Sequence, residues 1–352
     1  MQEVYLGIDW HKKTSTWIAL DADRNIVFER PKVACTPESV TEAYQSLCTM
    51  VPEIQGAIEP VCGWRWASDL LEEMGANIKI ANPLKLRRIA DSATKNDRND
   101  AYILADMHRG KLLPEAYKCT KEIHILREYV RTRGYLVRLR TGVKCRIHAV
   151  CTERGIHTTT TSPLSTKGRT TLMQQGDPII VSMFQALDDL SVQISNLERL
   201  IKQVTDTTPA IARLLTMPGI GMVSVATIYA EVGDFTRFPT AKHLVSYAGL
   251  NPRERSSGDR QRFGRISKEG SSLLRYTLVE CAMRVRNVPE AQNLYAFYDR
   301  LRSEQKKTPM VARVALARKM LTAMWYMAIR EEDYNDALFA PAQRQDDSVL
   351  WD

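Results

Sequence analysis

Apolar and polar positions alternate in short blocks over the first thirty residues. An apolar run from Val4 to Ile8 is followed by a polar turn at His11-Lys12-Lys13, then by Thr16-Trp17-Ile18-Ala19-Leu20 and by Ile26-Val27-Phe28. Blocks of this length separated by short polar turns predict three strands in a meander. A helix-period stretch follows from Glu38 to Met50, then a short strand at Ala57-Ile58, a helix over Ala67 to Met74 and a strand over Asn77 to Ile80. The predicted order is β-β-β-α-β-α-β. A further helix spans about Asn99 to His108, with Ala101, Leu104, Ala105 and His108 on one side, and the first domain closes near Gly110.

Beyond that point helical periods dominate. Met183, Leu187, Leu190, Ile194, Leu197, Ile201 and Val204 alternate spacings of four and three, a heptad seam. So few heptads are short for an independent coiled coil, which leaves open an amphipathic helix packed within its own chain or a zipper between chains. A Thr- and Ser-rich stretch from Thr158 to Thr171 reads as a loop. The run Met310 to Ile329 is apolar but broken by Arg313, Arg318 and Lys319, which a bilayer core would penalise heavily, so it predicts a buried helix and no membrane span. These patterns divide the chain into an α/β domain over 1–112, a basic helical and coiled-coil segment over 113–207, a mainly α domain over 208–335 and an acidic tail over 336–352.

Composition narrows the class. With 44% hydrophobic positions among 352 residues the chain folds, which excludes disordered and collagen-like proteins. The net charge of +8 is segregated: residues 85–150 hold sixteen Lys or Arg against seven Asp or Glu, whereas residues 331–352 hold seven acids and one base. A basic block favours a polyanionic partner, although a long helix with solvated Arg on its outer face has the same composition. Glu3 and Asp9 interrupt the start where an export signal needs an uninterrupted apolar run. Seven cysteines without a Cys-x-x-Cys pair fit reduced thiols, and together these features predict a cytoplasmic protein.

Asp9 ends the first strand, Glu59 follows Ala57-Ile58, and Asp97 and Asp100 sit three apart at a helix start, where they share one face. Singly, each has an ordinary reading: a turn cap, an exposed strand end, two acids favoured by a helix dipole. Jointly, in this order, they match a ribonuclease-H-like metal nuclease, in which clustered carboxylates hold Mg²⁺ against a phosphodiester.

Two later motifs carry further chemistry. Met217-Pro218-Gly219-Ile220-Gly221 lies between helical runs and is similar to the hairpin of a helix-hairpin-helix module, in which Gly219 and Gly221 let a phosphate approach the backbone; a tight turn between packed helices explains the same residues. The run Gly249 to Gly270 reads as a basic loop whose Arg253, Arg255, Arg260, Arg262, Arg265 and Lys268 suit phosphates. Ser256 and Ser257 stand among these cations, where a serine attacking DNA would find its oxyanionic phosphorane stabilised, and spacing does not choose between them. A phosphate-binding loop without covalent chemistry is the alternative.

The combination resembles the DEDD transposases of bacterial insertion sequences, a family of bridge-RNA-guided serine recombinases with related DNA invertases. The resemblance rests on Tyr5-Leu6-Gly7-Ile8-Asp9, Ile58-Glu59, Lys95 to Ala101, Pro218 to Gly221, Tyr247 to Pro252, Ser257-Gly258 and Gly264 to Gly270 with Leu274-Arg275. It implies a RuvC-like domain whose Asp9, Glu59, Asp97 and Asp100 bind Mg²⁺, and Ser257 as the nucleophile of a transient phosphoserine link to DNA. It further implies a dimer or tetramer in which the two sites come together from different subunits. A structured guide RNA would lie on the basic segment, including Arg131 and Arg138, and pair with donor and target DNA. Two departures stand out. Pro60-Val61-Cys62-Gly63-Trp64 replaces a small, Thr-containing turn behind Glu59, and Asp259 adds an acid near the proposed phosphate site. The rival readings are a Holliday-junction-type metal nuclease, a DNA invertase and a non-catalytic RNA- or DNA-binding protein.

Overall fold

The computed structural model describes residues 3–51, 53–89, 96–156, 162–254 and 263–340. The chain divides into two compact units, Met1–Lys118 and Cys119–Asp352.

In the first unit β1 (Glu3–Trp10), β2 (Thr14–Leu20) and β3 (Ile26–Ala34) form the predicted antiparallel meander. β3 runs six residues past the predicted Phe28, because it is an edge strand whose Glu29, Arg30 and Lys32 hide its period, with only Val33 buried. Helix α1 (Pro37–Cys48), capped by the Thr36 hydroxyl, returns the chain so that β4 (Glu53–Ile58) pairs in parallel with β1. Helix α2 (Trp64–Glu73) then leads to β5 (Asn77–Ile80), parallel to β4, and the sheet order is β3-β2-β1-β4-β5. This mixed α/β sheet fits a ribonuclease-H-like domain. Two helices follow, α3 (Pro83–Ile89) and α4 (Asp97–Arg109). The unit extends past Gly110 because Ala81 bridges Glu115 and the Lys118 ammonium reaches Asp69 at 2.6 Å and Glu72 at 2.8 Å on α2.

Both faces of β1 are covered. Val4, Leu6, Ile8 and Trp10 pack with Val40, Leu47, Ala67 and Leu71 from α1 and α2, whereas Gly7 lies beneath α4. A Cβ on Gly7 would stand 2.0 Å from the Ala101 carbonyl oxygen and 2.6 Å from the Ala105 nitrogen. The helix therefore rests on the strand's backbone. Its far side is held by Arg98, which forks onto Glu29 at 2.7 and 2.9 Å, and by Arg24, which pairs with Asp106 at 2.7 Å.

The second unit is helical. Helix α5 (Lys121–Glu153) packs along α7 (Pro178–Asp206), with α6 (Thr166–Gln174) between them in sequence. Ile147, Val150, Cys151, Leu172, Ile180, Phe184 and Leu187 form one shared core, and Ile194 and Ile201 of the heptad seam are also buried. The seam is thus covered along much of its length by α5 of the same chain, the first of the two alternatives open from sequence.

The remaining elements are α8 (Pro209–Leu215), α9 (Met222–Val232), α10 (Ala241–Tyr247), a ribbon of β6 (Pro252–Glu254) and β7 (Phe263–Ile266), α11 (Ser272–Arg284), α12 (Gln292–Ser303) and α13 (Pro309–Arg330). They enclose a large core around α9, which is buried nearly all round. Helix α13 is the buried helix predicted for the 310–329 run, and no described helix is long and apolar enough to cross a membrane.

The Gly7 contact yields a direct test. Gly7→Ala should destabilise the protein by about 2 kcal/mol, the typical cost of overpacking, in urea unfolding, and should weaken divalent-ion binding because α4 is pushed from β1.

Candidate functional site

The close approach of α4 to β1 decides where its first turn lies. Moving from Gly7 to Asp9 advances two strand residues, roughly 6.6 Å, and moving from Ala101 back to Asp97 retreats four helical residues, roughly 6 Å. The antiparallel pairing of strand and helix therefore brings Asp97, with Asp100 a turn later on the same face, to the level of Asp9. Asn96 fixes the helix start by accepting from the Asn99 amide at 2.7 Å. Glu59 joins from the other side: its amide meets the Ile8 carbonyl at 3.4 Å, so it leaves the parallel pair beside Asp9. Behind Glu59 the Trp10 indole donates to the Cys62 carbonyl at 3.1 Å and Gly63 adopts φ +81 to start α2, which ties down the unusual Pro60–Trp64 turn.

Asp9 is 2% exposed, and its Oδ2 is buried without a hydrogen bond. Burial pushes its pKa up to about 6; the nearby His11 opposes this, while Asp100, Asp97 and Glu59 add to it. The charges of Asp97, Asp100 and Glu59 thus bear on the buried Asp9, and of the three only Asp97 brings a carboxylate oxygen into a cluster within 4.8 Å of it. A buried carboxylate oxygen that accepts no hydrogen bond, in the field of three other acids, is costly unless positive charge is held beside it. A set of carboxylate oxygens suits a hard divalent ion. These residues fit such a group.

The sequence reading missed His11. Its Nε2 lies 3.1 Å from Asp9 Oδ2 and 3.5 Å from Asp97 Oδ1, and Asp9, His11 and Asp97 each offer an atom within 4.8 Å of the others. The available signal was its i, i+2 spacing from Asp9 at the end of a strand, which places both on one face.

The second predicted site is framed by the ribbon. The composition of Gly249–Gly270 predicts a loop, but β6 and β7 pair across it, Pro252 with Ile266 and Glu254 with Phe263. Short strands rich in Arg, Gly and Pro leave no alternation to read. At the ribbon's base Gly249 and Gly270 have φ +69 and +74, and a Cβ on either would lie 2.1 Å from Glu269 O or 2.2 Å from Tyr247 O. Arg275 Nη1 donates to the carbonyls of Ala248, Glu269 and Gly270 at 3.1, 2.6 and 3.2 Å. Arg253 spends one nitrogen on the Ser267 carbonyl at 3.0 Å, and Arg265 and Lys268 are exposed. Ser256, Ser257, Arg255, Arg260 and Arg262 lie outside the described residues.

The other predicted nucleic-acid contacts separate. Arg131 grips the buried Glu231 of α9 through two bonds of 2.7 and 2.9 Å, which ties it into the fold while its side chain stays 57% exposed. Arg138 is exposed on α5. Gly219 has φ +77 and its Cβ position lies 2.9 Å from Cys281 O, so its glycine is required by the turn against α11. Gly221 precedes α9 and has open space around it.

Two measurements follow. A carboxyl held above its ordinary pKa of 3.8 gives stability that is full below about pH 4 and lost as pH rises through about 6. Its loss is worth about 3 kcal/mol, at roughly 1.4 kcal/mol per pH unit. Metal-free protein should therefore melt several degrees lower at pH 7.5 than Asp9→Asn, and the gap should close near pH 4. Arg275→Met should cost about 2 kcal/mol and make the 249–270 ribbon the first site of limited proteolysis.

Comparison with known proteins places the chain among transposases. Residues 6–154 match a DEDD transposase family model, and residues 211–296 match the Transposase IS116/IS110/IS902 family. A probable family 20 transposase of Pseudomonas aeruginosa is 27% identical over 283 residues, 76% of this chain and 82% of the relative. The transposase for insertion sequence element IS1111A of Coxiella burnetii is 24% identical over 350 residues, 94% of this chain and 90% of the relative. A pilin gene-inverting protein of Moraxella bovis is 35% identical over 149 residues, 40% of this chain and 44% of the relative. The chain belongs to the DEDD transposases of insertion sequences, enzymes that cut and rejoin DNA.

Proposed function

We propose that this transposase is an RNA-guided recombinase that cuts and rejoins DNA by serine transesterification, with Mg²⁺ held by Asp9, Glu59, Asp97 and Asp100. The observation that carries the reading is the buried Asp9 oxygen without a hydrogen bond, surrounded by the charges of the other three acids. Bound there, Mg²⁺ would supply positive charge to the phosphoryl oxygens and to the leaving oxygen as bonds exchange.

In this reading the Ser257 Oγ attacks phosphorus, forming a phosphoserine and displacing a deoxyribose oxygen, which takes up a proton. The hydroxyl of a second DNA end then attacks the phosphoserine, restoring the diester and the serine. Bond number is conserved, so no nucleotide cofactor is required. Supporting this choice are the ribbon, whose base is fixed by Gly249, Gly270 and Arg275, and the exposed Arg265 and Lys268 of the same run, which in sequence contains the serine pair. These cations suit the phosphates of the DNA. The exposed Arg138 on α5 suits the backbone of a structured guide RNA, and half-buried Leu190 and Leu197 on α7 suit contact with further copies in a dimer or tetramer.

A denaturing gel tests the mechanism. Protein purified with its element RNA should form a protease-sensitive adduct with labelled element-end DNA in Mg²⁺, and both Ser257→Ala and Asp9→Ala should abolish it. Cleavage without adduct that survives Ser257→Ala would make the protein a metal nuclease. An adduct lost only in Ser256→Ala would move the nucleophile by one residue.

A further inference from the structure

We propose that His11 is a direct ligand of the divalent ion and biases the site towards Mn²⁺ over Mg²⁺; the inference rests on the carboxylate cluster being the metal centre described above. Its Nε2 faces carboxylates from two different elements, 3.1 Å from Asp9 Oδ2 on β1 and 3.5 Å from Asp97 Oδ1 on α4. Adjacent donors around an octahedral ion with bonds of about 2.1 Å stand about 3 Å apart, so both separations suit ligands of a common centre.

Alignment points the same way. Asp9 Oδ2 is buried and close to Nε2, yet it accepts no hydrogen bond. Short distance without alignment is expected of two donors directed at a shared ion rather than at each other. The backbone, rather than side-chain packing, places the imidazole. The His11 amide donates to the Thr14 carbonyl at 3.1 Å, the Cys35 thiol lies 3.2 Å from the His11 carbonyl, and the Cys35 amide donates to the Lys13 carbonyl at 2.9 Å. The turn is thereby tied to the end of β3, and the half-exposed ring stays beside the acids.

The chemical consequence is selectivity. Carboxylates alone serve Mg²⁺ and Mn²⁺ alike, whereas an imidazole nitrogen gains more from the transition metal. Full-length protein should bind Mn²⁺ more tightly than Mg²⁺. His11→Gln should weaken Mn²⁺ by at least about tenfold, the lower end of the cost of disturbing even a ligand's outer partner, and Mg²⁺ by less.

Electron spin-echo spectroscopy of the Mn²⁺ protein reads the bond itself. Modulation from a directly bound ¹⁴N is expected in the wild type and should vanish in His11→Gln. In Asp9→Asn it should vanish too, which ties the nitrogen to this site even if the His11 variant folds poorly. Saturable Mn²⁺ binding without ¹⁴N modulation would overturn the ligand assignment and leave the carboxylate centre standing. Absence of saturable Mn²⁺ binding by the wild type would overturn both.

Discussion

The first unit depends on the contact between the backbone of Gly7 and the backbone of α4. With no side chain between them, the helix lies against β1 closely enough for the Ala101 carbonyl to occupy the space of a Cβ. From that contact, helix rise and strand rise set the rest: Asp97 reaches the level of Asp9, and the parallel pairing of β1 with β4 brings Glu59 beside them. The salt bridges of Arg98 and Arg24 hold the helix in place, but its depth is fixed by a glycine. The resulting cluster is electrostatically unfavourable by itself. A fold that buries one acid among others sacrifices stability at that point, as functional sites commonly do.

The second unit uses the same device in a different place. Gly249 and Gly270 let two strands of chain approach within distances no Cβ would allow, and one guanidinium closes the junction by binding three carbonyls. A lysine would carry the charge but could not present planar, fixed donors in the same way. Behind the ribbon, α9 lies in the core and the long α5 is locked to it by Arg131 and Glu231. In both units glycine sets distance, and arginine holds the elements that the glycines bring together.

Much of this was legible in the sequence where a pattern repeats locally. The strand blocks, the α4 face of Ala101, Leu104 and Ala105, and the late helix through Met320 and Met324 all follow from periods of two or 3.6. Asp9, Glu59, Asp97 and Asp100 stood out because they fall at the ends of those elements. What escaped depends on partners far along the chain. Arg131 reads as a free cation until Glu231, one hundred residues later, is placed beneath it. The heptad on α7 reads equally well as a zipper until α5 is found along it, and β3 is obscured by the polar surface of an edge strand. His11 was hidden differently: its turn is obvious, but its role comes from the tertiary position of Asp97.

Anomalous diffraction from crystals grown with Mn²⁺ tests the central claim most directly, that close packing of α4 on β1 builds a divalent-ion centre around a buried carboxylate. The account predicts a strong anomalous peak bonded to Asp9 and to an acid of the first turn of α4. Ordered density for these side chains with the ion bound elsewhere, or with Asp9 turned away from α4, would contradict it.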